Sequence, residues 1–212
     1  MRKIYLSNPE VISTEDVPCP EVKEGWILAK TLRTGICGTD VHSFFGETIF
    51  GNTFPFHIGH EICAVVEESK GKSVVKGDTV VIDPIISCGA CRACQLGKDQ
   101  CCENRMYFGL TGPGGFSDYV YVPESSVLKV NSDNYDAMSF AEPLSTVVYG
   151  FEKLKLDFTK SVLINGVGPI GLMFLQLVVR AGVKQVVAAD FNNEKLKDAA
   201  VAGADYTINP LN

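Results

Sequence analysis

Five of the eight cysteines in this chain fall between positions 88 and 102. Cys88, Cys91 and Cys94 follow one another at steps of three in a loop that also contains glycine and alanine, and a fourth thiol comes at Cys101 or Cys102. Four thiolates at this spacing suit a closed tetrahedral zinc site, which pins a loop and leaves no open position for a substrate. Free buried thiols are the alternative, but they seldom cluster so tightly.

A second group of metal-ligating residue types is spread more widely along the chain. Cys37 begins the segment Cys-Gly-Thr-Asp-Val-His, His60 and Glu61 follow a glycine, and Glu142 precedes a proline. A catalytic zinc takes about three protein ligands and keeps one exchangeable position. Cys37 and His60 supply a thiolate and an imidazole, and either glutamate completes the set. Cys37 or His60 alone is more often a core residue than a ligand, so it is the combination that predicts a catalytic zinc site.

A glycine-rich turn stands further on, with the order Gly166-Val167-Gly168-Pro169-Ile170-Gly171. The first glycine permits the turn, the second lets a pyrophosphate approach the backbone, and the third allows close packing of helix on strand. Asp190 ends the next predicted strand, where a carboxylate binds the ribose hydroxyls of NAD and repels the additional phosphate of NADP. We therefore predict that this turn binds NAD; a purely structural turn is the alternative.

The elements that must position these residues change in type along the chain. From Lys3 to about Val130, short runs rich in Val, Ile, Thr and Tyr alternate with Gly, Pro and Asp, a pattern typical of an all-β module. The clearest predicted strands cover residues 26–31, 62–67 and 79–83. The sequence from Ala137 to Lys155 predicts helix, interrupted at Pro143.

Beyond residue 160, strand and helix patterns alternate, which predicts a parallel α/β sheet. The strands are expected at 161–165, 185–190 and 206–209, with helices at 170–181 and 193–202 between them. We place the boundary between the two domains near Phe151, so that residues 1–150 form the metal-binding domain and residues 151–212 the dinucleotide-binding domain.

Composition narrows the classes of partner. The chain has 212 residues, 46% of them hydrophobic, and a formal net charge of −6 without any basic block, which argues against binding to nucleic acid. The longest apolar run, from Ile170 to Val179, is shorter than the roughly 20 residues that span a bilayer. No apolar segment follows Arg2 and Lys3 that could act as a secretion signal. We expect a cytoplasmic protein without a membrane span.

Together these motifs resemble the zinc-containing medium-chain dehydrogenase/reductase family, which includes the alcohol and sorbitol dehydrogenases. The resemblance runs along the whole chain and includes Gly-Gly-Phe-Ser-Asp-Tyr at positions 114–119. It implies a mixed α/β fold: an N-terminal GroES-like, β-rich catalytic domain followed by the first half of a Rossmann doubly wound parallel sheet. It also implies two zinc ions, one catalytic and one structural, together with NAD, a small alcohol substrate and a homo-oligomer.

The same resemblance implies a role for individual residues. Cys37 and His60 look like catalytic-zinc ligands, with Glu61 as a direct or intermittent ligand and Glu142 as a ligand or a water-mediated neighbour. Asp40 looks like the carboxylate that orients a zinc-bound imidazole, and Thr39 and His42 look like the proton relay to solvent. In the structural site, the family spacing selects Cys88, Cys91, Cys94 and Cys102.

The implied reaction transfers a hydride from a secondary alcohol to NAD. Gly38 beside Cys37 and the pair Glu142-Pro143 look more like the sugar and polyol dehydrogenases than the ethanol enzymes, so a polyol, a sugar acid or another vicinal diol is the expected substrate. Threonine dehydrogenases share the Cys-Gly-Thr-Asp-x-His segment and are the alternative within the family.

The sequence departs from the family at its end, because Asn212 follows only the third expected strand of a sheet that usually has six. Strand 1 would then form an open edge. We expect a fragment of a longer protein or a chain that needs a partner, with little activity alone because nothing in it fixes the nicotinamide. Two other interpretations stay open: a truncated, non-catalytic zinc-binding protein, and an interaction module with metal at the cysteine loop but none at Cys37 and His60.

Overall fold

A computed structural model of the chain describes residues 1–47 and 53–212. Its strands are β1 (Arg2–Asn8), β2 (Val11–Asp16), β3 (Trp26–Gly35), β4 (Phe56–His57), β5 (Glu61–Ser69), β6 (Thr79–Ile82), β7 (Ile85–Ile86), β8 (Met106–Tyr107), β9 (Tyr119–Pro123), β10 (Val127–Lys129), β11 (Ser161–Asn165), β12 (Gln185–Ala189) and β13 (Tyr206–Ile208). Its α-helices are α1 (Gly38–Phe44), α2 (Arg92–Gln95), α3 (Tyr135–Ser139), α4 (Ala141–Leu154), α5 (Pro169–Arg180) and α6 (Asn193–Val201). The described residues form two compact units, Met1–Glu142 and Pro143–Asn212.

The first unit is built on antiparallel sheets. The largest has the order β10-β6-β5-β3-β9, and a second has the order β2-β1-β4. Strands β3, β5 and β6 confirm the three strands expected from the sequence. Two register shifts interrupt the pairing of β3 with β5, the second of them between Thr31 and Arg33. Beyond it the strands continue to the pair Gly35 and Glu61, so the end of β3 and the start of β5 lie side by side.

The core of this unit follows from the alternation of side chains along the strands. Ile27 and Ala29 of β3 pack with Ile62, Ala64 and Val66 of β5 in one buried cluster. Successive side chains of a strand point to opposite faces, so residues two apart share the same core. The sheet therefore holds the start of β5, where the predicted metal ligands lie, on a rigid base.

The second unit is a parallel α/β sheet with the strand order β11-β12-β13. Helix α5 follows β11 and helix α6 follows β12, which confirms the predicted alternation. Leu175 and Val178 of α5 are fully buried and pack with Val186 and Ala188 of β12. Within the described residues, β11 pairs only with β12 and forms one edge of the sheet.

The helical segment between the sheets differs in one detail from the expectation. The break lies at Phe140, between α3 and α4, and Pro143 sits in the first turn of α4. A proline is tolerated there because the first N–H groups of a helix have no partner within the helix.

The boundary expected near Phe151 lies inside α4, whereas the compact units divide after Glu142. No helix among the described residues is both long enough and apolar enough to cross a membrane.

Candidate functional site

Cys37 stands at the junction of a strand and a helix. It comes two residues after the end of β3 and is the N-cap of α1, with extended backbone angles of φ −78° and ψ 155°. His60 immediately precedes β5, and Glu61 is its first residue. Because Gly35 and Glu61 are register partners, the strand pairing brings the two segments together.

The ligand atoms of Cys37, His60 and Glu61 all lie within 4.8 Å of one another. His60 and Glu61 are buried, and Cys37 is half-buried. Gly35 lies directly beside this cluster, because a Cβ atom at that position would displace the Glu61 carboxylate. The sheet thus assembles a thiol, an imidazole and a carboxyl from two segments that are more than twenty residues apart in the chain.

Asp40 connects the two segments that carry these ligands. Its Oδ2 accepts a hydrogen bond from the Cys37 backbone N–H at 2.9 Å, and its Oδ1 accepts one from the Gly59 backbone N–H at 3.1 Å. Oδ1 also lies 3.8 Å from Nδ1 of His60. Asp40 is only 3% exposed, so its carboxylate holds both loops from inside the protein.

The pKa values in this cluster reflect burial and close polar contact. The hydrogen bond to His60 lowers the pKa of the Cys37 thiol, although burial opposes this change. Burial disfavours a charged His60, but the Cys37 hydrogen bond and the Asp40 charge outweigh it and raise the pKa of the imidazole. Burial raises the pKa of Asp40 and of Glu61. These groups interact strongly, and a bound cation would favour their anionic forms.

The cluster fits a zinc ion by the chemistry of its donors. Thiolate sulfur, imidazole nitrogen and carboxylate oxygen are the ligands that Zn²⁺ takes in proteins, and three protein ligands leave a position open. Within the described part of the chain, Nδ1 of His60 is buried without a hydrogen-bond partner. A buried polar atom of this kind is unfavourable unless a further group satisfies it.

Glu142 lies in the first turn of α4 and is close enough to interact electrostatically with His60 and Glu61. Burial raises its pKa, the His60 charge lowers it, and the carboxyls of Glu61 and Asp83 raise it further. It is not part of the group whose ligand atoms lie within 4.8 Å of one another. Of the two glutamates, Glu61 is therefore the better placed as a ligand, and Glu142 is better placed as a neighbour.

The two predicted relay residues lie on α1. The Thr39 hydroxyl is 3.7 Å from the Cys37 sulfur, and Nδ1 of His42 is 2.7 Å from the Glu47 carboxylate. Residues three apart are neighbours on a helix surface, but no direct hydrogen bond joins Thr39 to His42 in the described structure. Thr39 thus lies next to the cluster, and His42 lies on the exposed side.

The cysteine loop brings its four predicted ligands together. Cys91 is the N-cap of the short helix α2, Cys94 lies within it, and Cys102 follows a 3-10 turn at Asp99–Cys101. All four sulfur atoms, including that of Cys88, lie within 4.8 Å of one another. The sulfur atoms of Cys91 and Cys94 are 3.5 Å apart. The Cys88 backbone N–H donates a hydrogen bond to the Cys102 sulfur at 3.3 Å.

The electrostatics of this loop favour thiolates at its rim. Backbone N–H groups of Ala90 and Cys91 lower the pKa of Cys88 to about 6. Burial raises the pKa of Cys94 to about 12, and hydrogen bonds with the neighbouring thiols contribute to the rise. Four sulfur atoms in this arrangement match a closed zinc site. The cysteines outside both clusters are Cys19, Cys63 and Cys101.

The glycine-rich turn connects β11 to α5. Gly166 has a φ of +94°, which L side chains rarely adopt, and Gly168 is the N-cap of α5 with Pro169 as the first helical residue. A Cβ on Gly171 would collide with the Gly166 carbonyl oxygen, so the helix packs directly on the turn. At Gly168 a Cβ would meet open space, the space that an approaching phosphate needs. Ile170 and Gly171 follow in the first turn, where helix N–H groups bind anions.

Asp190 comes directly after β12 and faces this turn. Its Oδ2 accepts a hydrogen bond from the Val167 backbone N–H at 3.0 Å, and its Oδ1 accepts one from the Asn192 backbone N–H at 2.9 Å. These bonds lower the pKa of the carboxyl, so Asp190 is an anion held against the turn. The structure thus brings the glycine-rich turn and Asp190 together through the hydrogen bond from Val167.

Comparison with known proteins places this architecture in a family. Residues 23–132 match the family model described as the alcohol dehydrogenase GroES-like domain. The chain belongs to this family, and its mixed α/β fold is a GroES-like domain followed by the first part of a Rossmann sheet.

Individual relatives extend the likeness over the whole chain. An L-threonine 3-dehydrogenase from Rhizobium rhizogenes is 34% identical over 98% of the chain. The solved structure of a short chain alcohol dehydrogenase, RspB, from Escherichia coli in complex with NADH is 32% identical over 99% of the chain, with a TM-score of 0.89. A zinc-binding dehydrogenase structure from Sinorhizobium meliloti bound to NADP is 33% identical over 99% of the chain, with a TM-score of 0.91. The chain spans 62% of the length of each.

No motif in the sequence points to Gly35 or Glu47, although both contact predicted site residues. The contact of Gly35 with Glu61 depends on strand register, which short-range spacing does not reveal. Glu47 had one usable signal, the glycine at position 46, because a glycine after a helix commonly folds the chain back over its last turn.

Proposed function

We propose that this chain is the catalytic-zinc and NAD-binding portion of a zinc-dependent oxidoreductase that transfers a hydride from a secondary alcohol to NAD. The observation that carries the proposal is the cluster of Cys37, His60 and Glu61, whose ligand atoms lie within 4.8 Å of one another. Its donor set leaves a coordination position for a substrate. The family of the chain and its NADH-bound neighbour support the same reaction class.

In this proposal Cys37 and His60 hold the catalytic zinc, Glu61 is the third ligand, and Glu142 is a neighbour. When bound, the metal supplies Lewis acidity that lowers the pKa of the substrate hydroxyl. Asp40 fixes the two ligand-bearing loops through its bonds to the Cys37 and Gly59 N–H groups. Thr39 receives the hydroxyl proton, and His42 passes it to solvent. Cys88, Cys91, Cys94 and Cys102 hold the structural zinc.

The glycine-rich turn is proposed to bind the pyrophosphate of NAD, with Gly166, Gly168, Pro169, Ile170 and Gly171 as its contact segment. Asp190 then lies beside the adenosine ribose and disfavours the phosphate of NADP. One related structure holds NADH and another holds NADP, so the preference has to be measured on this protein. Titration with NADH and NADPH is expected to show tighter binding of NADH, and Asp190→Ala is expected to remove the difference. Equal affinities in the parent would mean that Asp190 does not contact the ribose.

For the substrate we propose a polyol, a sugar acid or another vicinal diol, on the basis of Gly38 beside Cys37 and of Glu142-Pro143. L-Threonine is the second candidate because of the 34% identical threonine dehydrogenase. It is also a secondary alcohol with a neighbouring polar group. Turnover of the full-length protein with a panel of polyols, sugar acids and threonine, compared by kcat/KM, separates the two.

The proposal also covers the roles of the two domains, the cellular location and the oligomeric state. Residues 1–150 would form the catalytic domain and residues 151–212 the partial NAD-binding domain of a cytoplasmic homo-oligomer. Sedimentation analysis of the purified protein tests the assembly.

The central test compares alcohol-dependent reduction of NAD by the full-length protein and by two variants. His60→Ala is expected to abolish turnover and to remove one equivalent of zinc. Cys101→Ser, which changes a thiol outside both clusters, is expected to alter neither. An active His60→Ala variant would exclude the proposed zinc site as the centre of the reaction.

A further inference from the structure

The end of α1 folds back on itself in a way that fixes the position of Glu47. The Gly46 N–H donates to the Ser43 carbonyl at 3.0 Å, and the Glu47 N–H donates to the His42 carbonyl at 2.9 Å. Gly46 has a φ of +87°. These two bonds and the left-handed glycine form a Schellman motif, in which the residue after the glycine returns to the residue three positions before the helix end.

The motif therefore brings Glu47 back over His42 by backbone geometry alone. The side chains continue this contact, because Nδ1 of His42 lies 2.7 Å from Oε2 of Glu47. Both side chains are exposed, at 56% for His42 and 67% for Glu47. An exposed pair of this kind adds little to the free energy of unfolding. Its main effect is on which nitrogen of the imidazole carries the proton.

A carboxylate can accept hydrogen bonds but cannot donate them. The short contact with Glu47 therefore requires a proton on Nδ1 of His42. In the neutral ring the other nitrogen, Nε2, then carries the free lone pair. Without such a partner, neutral histidine favours the opposite tautomer, with the proton on Nε2. Glu47 thus selects the form of His42 that can accept a proton at Nε2.

We infer that Glu47 is the positioning residue of the proton relay: held by the Schellman motif of α1, it keeps His42 in the tautomer whose Nε2 receives the proton released by the substrate. This inference rests on the proposed function. The Thr39 oxygen takes the substrate proton as its own proton leaves toward a bridging water. That water gives a proton to Nε2, and the imidazolium returns one to solvent while Nδ1–H stays bonded to Glu47.

A second histidine–carboxylate pair in the same unit serves as a matched control. Nε2 of His57 lies 3.6 Å from Oε1 of Glu15, across two different strands and with no helix end to join them. That distance is too long for a hydrogen bond. Glu15→Ala therefore removes a carboxylate near a histidine without touching the proposed relay.

The first test reads the imidazole tautomers of this chain directly by ¹⁵N NMR. The chain has three histidines, so His42→Asn and His57→Asn variants assign the signals. At a pH where His42 is neutral, we expect its proton on Nδ1 in the parent and in Glu15→Ala, and mainly on Nε2 in Glu47→Ala. A proton on Nε2 in the parent would overturn the inference.

The second test measures turnover of the full-length protein. Glu47→Ala is expected to lower kcat roughly tenfold, a fraction of the 10²–10⁴ that general acid–base groups contribute, with little change in KM for the alcohol. Added imidazole is expected to restore much of this loss, because a diffusible base replaces the positioned one. Glu47→Asp is expected to recover part of kcat, and Glu15→Ala is expected to match the parent.

The two tests separate the inference from the proposed function. An active parent with unchanged kcat in Glu47→Ala would overturn the inference and leave the oxidoreductase in place. A parent with the Nδ1 tautomer but no alcohol oxidation under any condition would overturn the proposed function and the relay role with it. Loss of kcat in Glu47→Ala that imidazole does not restore would assign Glu47 a structural role instead.

Discussion

The two clusters of candidate metal ligands in the first unit are built in opposite ways. The cysteine loop gathers Cys88, Cys91, Cys94 and Cys102 from one short stretch of chain, with a short helix and a 3-10 turn between them. The cluster of Cys37, His60 and Glu61 draws on the end of one strand and the start of another. The first uses four sulfur atoms, and the second mixes sulfur, nitrogen and oxygen.

The two clusters differ in what positions their ligands. The cysteine loop depends on its own short segment, whereas the cluster of Cys37, His60 and Glu61 is positioned by the sheet. The loop has almost no core of its own, since only Cys102 among its predicted ligands is fully buried, so we expect it to need a metal to hold its shape. The other cluster lies on the buried end of the five-stranded sheet, with Asp40 tying its two segments. It can therefore keep its geometry while a coordination position stays open.

The largest effect should come from breaking the loop. Cys91→Ser is expected to reduce the zinc content from two to one and to lower the free energy of unfolding by roughly 4 kcal/mol, because loss of a metal is among the mechanisms that give the largest effects of a single substitution. Elemental analysis and urea unfolding measure the two quantities. Cys101→Ser, in the same loop, is expected to retain both zinc ions and the stability of the parent. Equal losses in both variants would show that any serine in the loop is harmful.

The sheet-based cluster should lose its metal without losing its fold. In Cys37→Ala and His60→Ala the zinc content is expected to fall from two to one, while the circular dichroism spectrum stays that of the parent. The reason is that the sheet core, including Ile62 and Ala64, is independent of these ligands. A zinc content that stays near one in the parent and in both variants would remove this site.

Asp40→Asn sharpens the comparison because, among the residues that the structure describes, a buried carboxylate bridges the segments of only one cluster, that of Cys37 and His60. Loss of a carboxylate that holds metal ligands typically costs 10–100-fold in metal affinity, and we expect a decrease of roughly that size for the zinc at Cys37 and His60. The zinc in the cysteine loop should be unaffected. Competition with a chromogenic chelator resolves two zinc ions of different affinity, and a uniform weakening of both would contradict the assignment.

The smallest effect is expected at Cys63, which is fully buried in β5 but belongs to neither cluster. Cys63→Ala should cost on the order of 1 kcal/mol, as most core substitutions do, and should leave the zinc content at two. Urea unfolding and elemental analysis again provide the measurements. A drop in zinc would show that Cys63 reaches one of the metals.

The same contrast explains what the sequence could predict. The spacing of Cys88, Cys91 and Cys94 lies within a few residues, so local pattern was sufficient to predict a cluster. The choice between Glu61 and Glu142 depends on the register of β3 with β5 and on where α4 begins. Neither the strand register nor the start of α4 is encoded in short-range spacing. For the same reason, the sequence predicted the helical break at Pro143, whereas it lies at Phe140. Periodicity predicted β11, α5 and β12 because each is a regular element with a buried face.

For the proposed NAD site, the hydrogen bonds of Asp190 have a consequence for engineering the cofactor preference. Replacing this acid is the obvious way to admit a phosphorylated ribose, yet both of its oxygens already accept backbone N–H groups, one from the turn at Val167 and one at Asn192. An asparagine side chain offers one oxygen as acceptor and an amide that only donates, so it keeps one of these bonds at most. A redesign that changes specificity at this position therefore also loosens the turn, and a second substitution that restores an acceptor for the Val167 N–H would be needed to recover its rigidity.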